Sequence, residues 1–579
     1  MRRLLIPSFP LRTTSLVLLV LVSCAPGPAV PRPVEPGEGS TGSAAPRGTL
    51  KIAWFFEPEN LHPKFLTGSG VSEYHWVFDS TLFYLDFNGV AHPMLARDIP
   101  TQANGGWIVN PDGTMVTTYR LRENARWHDG APITAADFVF AYEVYLDQDT
   151  PIVSRTPENL MAKVEAQDDR TIVVTWKEPY NQANVLGYRQ LNPLPSHSLQ
   201  EKFRTNKANF AFGDEWTASY VGSGPFRVER WIPGASLVAR AHTGWVLGPP
   251  RLESIDIRFV KDPSTILANL LSGEIDMSNS STIRSAEAVI ARDQWASKGA
   301  GWVKTWETRL SYVEYQYRDV PNWQRAIADL RVRQALTHAI DRSGLAAVST
   351  DGLGSAADVF FSPADPLFPD VHRALTRYPY DLNRAEALLA EAGWRRQAPG
   401  GLLANDGGQS MDVEVWATPN QAREATIVAD NWKNVGLNTS IYIIPPGRER
   451  EGELRTGFTA AGLNGRSISP ENFSFTRADF ATPQNRFAGL NRGSFYDPDV
   501  DRFHSAIMTS FDPEERHQAT ISLHRRMSEL AGLTPLFYQV EVIVAKNTVK
   551  GPVGNYGPQQ GMTWNVFEWE VAEPSGSPG

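Results

Sequence analysis

The stretch Tyr119-Arg-Leu-Arg-Glu-Asn-Ala-Arg-Trp127-His128-Asp129-Gly130-Ala-Pro-Ile-Thr134-Ala-Ala-Asp137-Phe-Val-Phe140 carries three local signals in succession. At its start, Met115, Thr117, Tyr119 and Leu121 alternate with polar positions, the period of a half-buried strand. Asp129-Gly130 then supplies a turn. Thr134 stands three residues before Asp137 as the start of a capping box, and Phe138, Ala141, Tyr142 and Tyr145 recur behind it at helical spacing. The stretch reads as strand, turn and helix. His128 and Asp129 are neighbours at the strand-to-turn junction, where adjacent side chains point apart, so His128 reads as a structural histidine and not as half of a catalytic pair.

The same alternation of codes runs outward in both directions. Thr49 to Trp54 reads as a strand and passes into a polar loop through Pro58, Pro63 and the Gly68-Ser69-Gly70 turn. Val332, Ala335, Leu336, Ala339 and Ile340 form one helical stripe. A second runs from the cap Asp381 through Ala385, Leu388, Leu389 and Ala392 and stops at Gly393. Strands at Ile255 to Val260, Val413 to Ala417 and Thr439 to Ile444 are interleaved with these helices, so both halves of the chain are α/β. No internal repeat is visible.

The only cysteine, Cys24, follows Leu21-Val22-Ser23 at the end of an apolar run from Leu16, behind a basic start containing Arg2, Arg3 and Arg12. This is the layout of an export signal in residues 1–23, with a small residue at the cleavage point. Residues 25–47 are dominated by Pro, Gly, Ser and Ala, a composition that buries too little apolar surface to fold, and residues 24–48 read as a tether. From residue 49 to about 571 the composition is globular, more than one core usually organises, so two or three domains are expected. No other stretch reaches the roughly 18 to 20 apolar residues that span a bilayer. With no cysteine left after Cys24, the mature domains have neither an internal disulfide nor a thiolate metal site.

The formal charge of -9 becomes -12 once residues 1–23 and their three arginines are removed. Nucleic acid is an unsuitable partner for such a chain. The charges are interspersed, as on a solvated surface. Seventeen tryptophans and seventeen tyrosines supply mainly core, with some expected as the walls of a binding pocket. Signatures of catalysis are missing: there is no nucleophile elbow, no His-Glu-x-x-His helix and no phosphate-binding Gly-x4-Gly-Lys loop. Asp497-x-Asp499-x-Asp501 has Arg502 where a calcium loop needs glycine and Met508 where it needs a bidentate Glu, so it reads as a capped helix start. No enzymatic activity, metal or cofactor is expected.

The opening stretch, together with Gly222-Ser-Gly224-Pro225-Phe226, Ser272-Gly273-Glu274-Ile275-Asp276-Met277, Arg331-Val-Arg333-Gln-Ala335-Leu and Tyr380-Asp381-Leu-Asn-Arg-Ala385 onward to Gly393-Trp, resembles the solute-binding proteins of ABC importers, family 5. The segments follow the family's order from about residue 49 to 571, and Leu-x-Ser-Cys24 resembles the lipobox of bacterial lipoproteins. The resemblance implies an α/β, two-lobed fold of the periplasmic-binding-protein type (type II, the large class with an extra subdomain) and a hinge between the lobes. Lobe I would comprise residues 49–305 with a subdomain at roughly 90–220, lobe II residues 306–534, and residues 535–571 would return to lobe I. The chain would cross near Lys304 to Tyr317 and return near Pro535 to Ala545.

The resemblance further places ligand contacts at Thr67, Gly68 and Ser69 on the loop after the first strand and at Thr308, Arg309 and Tyr312 on the crossing. It also places them in a segment ending at Ser469-Pro470, where Leu463, Asn464 and Arg466 would line the site. Peptide-binding relatives commonly carry an aspartate for the ligand's α-ammonium group four residues before that proline. Here the position holds Arg466, which repels an ammonium and offers donors to a carboxylate, phosphate or hydroxyl-rich ligand.

The expected protein is thus a monomeric, lipid-anchored, extracytoplasmic receptor that delivers a polar solute (peptide, oligosaccharide or other) to ABC permease subunits. A ligand-sensing lipoprotein and a secreted two-carboxylate hydrolase are the alternatives. The anchor is directly testable. Cys24→Ala is expected to move the protein from the membrane to the soluble fraction on cell fractionation; a variant that stays with the membrane contradicts the anchor.

Overall fold

The computed structural model describes residues 45–62, 64, 71–152, 155–177, 179–280, 282–449, 451–468, 473–487, 489–554 and 561–572. Cys24, Thr67, Gly68 and Ser69 lie outside these residues, as does Ser469-Pro470. The elements read from the sequence are present: strands Thr49–Trp54, Met115–Arg120, Ser254–Phe259, Asp412–Ala417 and Asn438–Ile443, and helices Ala135–Leu146, Leu330–His338 and Leu382–Glu391.

Each sequence segment has a physical task. In the opening stretch Gly130 adopts a positive φ of 90°, as the Asp129-Gly130 turn requires. The buried Asp137 carboxylate accepts from Thr134 N at 2.8 Å, Trp127 Nε1 at 3.2 Å, and Ser196 N and Oγ at 2.9 and 2.6 Å. His128 is structural: Gly222 N donates to its Nδ1 at 3.1 Å and its Nε2 lies 3.1 Å from Gly224 O, while Asp129 pairs with His197. Burial pushes the His128 imidazole down to about 3. Gly224 lies so close to the end of helix Val71–Phe78 that a Cβ there would meet Phe78 C at 2.4 Å.

Other motifs act as ties between distant segments. Asp276 accepts from Lys51 N at 2.9 Å and from Lys546 Nζ at 2.6 Å. Arg333 donates to four carbonyls, of Ile327, Ala328, Leu530 and Ala531, which closes the end of helix Pro513–Glu529. Asp381 caps its helix through Arg384 N at 2.9 Å. Asp497 likewise accepts from Asp499 N and Val500 N as the cap of helix Pro498–Thr509, the role read from its sequence.

One ten-stranded sheet runs through the molecule in the order Asn438–Ile443, Asp412–Ala417, Ala461–Ser467, Gly301–Tyr315, Leu533–Lys546, Met277–Ser278, Thr49–Trp54, Ser254–Phe259, Ser236–Ala241, Phe226–Ile232. A separate four-stranded antiparallel sheet holds Met115–Arg120 between Trp107–Val109 and Thr171–Trp176, with Met161–Asp168 at its edge. The strands Gly301–Tyr315 and Leu533–Lys546 are the long central pair. Their ladder shifts register between Glu307 and Arg309 and again between Ser311 and Tyr312. The two ends of this pair belong to different cores. Val303, Val540, Val542 and Val544 pack with Ala53, Ile266 and Leu270, whereas Val313, Tyr315, Leu536 and Phe537 pack with Leu336, Val415 and Trp432.

The C-terminal segment is fastened to helix Val71–Phe78 by Glu73, whose carboxyl accepts from Met562 N, Thr563 N and Thr563 Oγ1, each at 3.1 Å. Burial pushes this carboxyl up from 4.5 to about 7, against the pull of those donors and with added repulsion from Glu541. In the range between these values the unfolded chain has already lost the proton that the folded chain keeps. The contribution of Glu73 is therefore whole below pH 4.5 and is lost as pH rises through about 7. Over that window this group lowers stability by up to about 3 kcal/mol. Glu73→Gln is expected to flatten that part of the profile in denaturant unfolding measured across the window; an unchanged slope assigns it to other groups.

Candidate functional site

Strand directions locate a gap in the sheet. Thr49–Trp54 is parallel to Ser254–Phe259 and Met277–Ser278, and Met277–Ser278 is antiparallel to Leu533–Lys546. On the other side, Asp412–Ala417 is parallel to Asn438–Ile443 and Ala461–Ser467, and Ala461–Ser467 is antiparallel to Gly301–Tyr315. The two sets of parallel strands therefore point their carboxyl ends at each other along the central pair. Ala53 is level with Ser278, and Met277 faces Ala545, which faces Trp302; Trp54 therefore ends level with Lys304, whereas Ser467 ends opposite Arg309. At the rise of an extended strand, the five residue steps from Lys304 to Arg309 span roughly 16 Å. Ligands of open α/β sheets bind outside the carboxyl ends of the strands, and here two such edges face one opening.

On the first edge, Glu57 accepts from Trp231 Nε1 and Gly234 N, each at 2.8 Å, and Phe56 is exposed. Further along, Lys64 Nζ makes a buried ion pair with Glu158 Oε2 at 2.5 Å, and the other Glu158 oxygen accepts from Leu191 N at 2.6 Å. Helix Val71–Phe78 follows. Across the opening, Thr308 lies in the crossing strand at the register shift. Arg309 is exposed and donates to Gly465 O at 3.1 Å and Gln539 Oε1 at 3.3 Å.

The alternation of the strands sorts the remaining residues. Leu310, Tyr312 and Glu314 stand opposite Arg466, Asn464 and Gly462 and share one face of the sheet with them. Leu463 stands opposite Val313 on the other face and packs in the core with Val415 and Ala461. It does not line a surface with Asn464 and Arg466, because neighbours in a strand point to opposite sides; the expectation that all three share one wall is corrected on this point.

On the shared face Arg466 is only 8% exposed. Its guanidinium donates to Ser474 Oγ and to Leu490 O, the latter at 2.9 Å, and lies 5.3 Å from the ring centroid of Phe475. Arg466 thus holds the segment after the strand down on the sheet. Asn464 Oδ1 accepts from two guanidinium groups, Arg455 at 2.5 Å and Arg492 at 2.8 Å, while its Nδ2 donates to Glu314 Oε2 at 2.8 Å. The other Glu314 oxygen accepts from Gly493 N at 2.8 Å. Tyr312 packs edge-on against Phe360 and Phe475, and its buried hydroxyl has no hydrogen-bond partner among the described residues. Burial raises its phenol, while Arg466, Arg492 and Arg455 pull the other way. Burial and the neighbouring Arg492 lower the Arg455 guanidinium to about 10.

Arg455, Arg492 and Glu314 are absent from the candidates read from the sequence. Only Glu314 leaves a trace there, as an acid inside the apolar run Leu310-Ser-Tyr-Val-Glu-Tyr315, where a buried carboxylate needs donors. Among the described residues no group of three or more His, Cys, Asp and Glu side chains is placed to hold a metal ion.

The family model of the bacterial extracellular solute-binding proteins, family 5, matches residues 93–483. The chain belongs to this family. ABC transporter peptide-binding proteins of Brucella are 30% identical over 293 residues, covering 49% of this chain and 50% of theirs, so the match spans about half the length of these curated relatives. The oligopeptide-binding protein AppA of Bacillus subtilis is 24% identical over 479 residues, 80% of this chain and 82% of that one. The solved structure of AppA with a nonapeptide is similar at a TM-score of 0.67 and 21% identity, covering 91% of this chain and 99% of that chain. A periplasmic EDTA-binding protein, EppA, is similar at a TM-score of 0.73 and 19% identity, covering 92% of this chain and 98% of that chain. The family 5 fold is the two-lobed α/β fold of periplasmic binding proteins, and this chain has it. In that fold, the opening between the two carboxyl edges is the space between lobes.

Proposed function

We propose that this family 5 protein captures a polar solute between its lobes and delivers it to the permease of an ABC importer, held to the outer face of the membrane through a lipid on Cys24 and acting as a monomer. The observation that carries the reading is the pair of carboxyl edges facing each other across the central strands in a chain of the solute-binding family. Lobe I is residues 49–305 with residues 535–571, and its subdomain is built on the four-stranded sheet; lobe II is residues 306–534. The hinge is the central strand pair, where the register shifts near Thr308 interrupt the ladder between the two cores. Binding, closure and release need no covalent step, consistent with the missing catalytic motifs.

Thr67, Gly68 and Ser69 face the solute from lobe I in this reading, and Arg309, Tyr312, Asn464 and Arg466 belong to the lobe II wall. With Arg466 in that wall the site has no use for a free α-ammonium group, which sets it apart from peptide receptors that anchor one by an aspartate. Native mass spectrometry of protein purified without denaturation is expected to show a bound small solute. Calorimetry is expected to show no preference for free peptides over their N-acetylated forms. Tight peptide binding that N-acetylation abolishes contradicts the assignment of Arg466, and a protein that carries and binds no small solute contradicts the receptor reading.

A further inference from the structure

Many of the buried or partly buried charged side chains among the described residues are paired with an opposite charge, whereas buried Arg333 is satisfied by four carbonyls. Lys64 meets Glu158, Lys546 meets Asp276, Arg342 meets Asp358 and Arg526 meets Asp497, all within 3 Å. Arg455, Arg466 and Arg492 meet no carboxylate among the described residues, although Arg466 is buried and the other two are half-buried. Burying a cation without a counter-charge is costly, and these three occupy one place. Two of the guanidinium groups converge on a single neutral oxygen, that of Asn464. The nearest acid, Glu314, has its two oxygens engaged by the neutral donors Asn464 Nδ2 and Gly493 N. Beside them the Tyr312 hydroxyl, fully buried and within the electrostatic reach of all three arginines, has a hydrogen bond to give and no taker among the described residues.

We propose that Arg455, Arg466, Arg492 and the hydroxyl of Tyr312 form a binding site for an oxyanion group of the solute, a carboxylate or a phosphate. The inference rests on the receptor reading above and gives it a ligand chemistry. An oxyanion has lone pairs for several N–H and O–H donors at once, and a planar guanidinium meets a carboxylate or a phosphate with two parallel bonds. It would supply the missing counter-charge, so the site is electrostatically incomplete until the solute arrives. Arg466 links this site to the carboxyl edge of Ala461–Ser467, the lobe II side of the opening.

The test is calorimetric titration of the full mature protein at constant ionic strength with succinate, inorganic phosphate and uncharged succinamide. The site predicts binding of succinate or phosphate and none of succinamide, and the stronger of the two names the anion. In Arg455→Gln and Arg492→Gln the affinity falls about tenfold or more, the scale of a lost charge-assisted hydrogen bond, and Arg492→Lys restores part of it. Thermal unfolding without ligand separates this role from a structural one. Removing one of two like charges that share an acceptor leaves Tm unchanged or higher, whereas removing a stabilising contact lowers it. Lowered Tm with unchanged anion affinity in both glutamine variants overturns the site. So does failure of wild type to bind either anion while it still binds the solute found by native mass spectrometry, an outcome that leaves the receptor reading standing; absence of any bound solute removes that reading instead.

Discussion

The ten-stranded sheet depends on two antiparallel strands, Gly301–Tyr315 and Leu533–Lys546, that carry it from one core to the other. A strand pair is stiff along its length, because each residue is tied to the partner by ladder hydrogen bonds, and softer where a register shift leaves a residue unpaired. The shifts around Thr308 and Ser311 fall where one core gives way to the next. This one constraint fixes both the separation of the two parallel-strand edges and the place where movement between them is least costly. It also explains why the C-terminal segment must come back: the return strand lies between Met277–Ser278 and Gly301–Tyr315, and Asp276 pairs with Lys546 at its end.

Charge is used differently on the two sides of the opening. On the first side Lys64, in the segment after Thr49–Trp54, is matched by Glu158 in a buried ion pair. On the second side the arginines around Asn464 make no ion pair among the described residues, and the acid beside them, Glu314, is engaged by Asn464 Nδ2 and Gly493 N. A matched pair specifies geometry; an unmatched group stores demand for a partner. In the proposed receptor the first side is scaffolding and the second recognises the solute, and an oxyanion is the ligand chemistry that fits unmatched guanidinium groups.

How much of this was legible in the sequence depends on the range of the interaction. The Thr134–Asp137 and Asp381–Arg384 caps are contacts of three residues, so the codes for the helices they start could be read directly. The structural role of His128 followed from its place at a strand end, although its partners at Gly222 and Gly224 lie far along the chain. The Arg455–Asn464–Arg492 convergence has no local signature: its members come from a short helix, a strand and an irregular segment, and only the fold brings them together. Leu463 shows a different failure. The resemblance places it beside Asn464 and Arg466, and in Ala461-Gly-Leu-Asn-Gly-Arg-Ser467 the small residues mask the period of two by which the pleat sends Leu463 into the core and Asn464 to the opposite face.

In the proposed receptor the two edges close on a solute about the central strand pair. Small-angle X-ray scattering of the mature protein, free and saturated with the solute identified by native mass spectrometry, measures this directly. Closure gives a smaller radius of gyration and a shorter maximum dimension in the bound state; identical scattering curves at saturation rule it out.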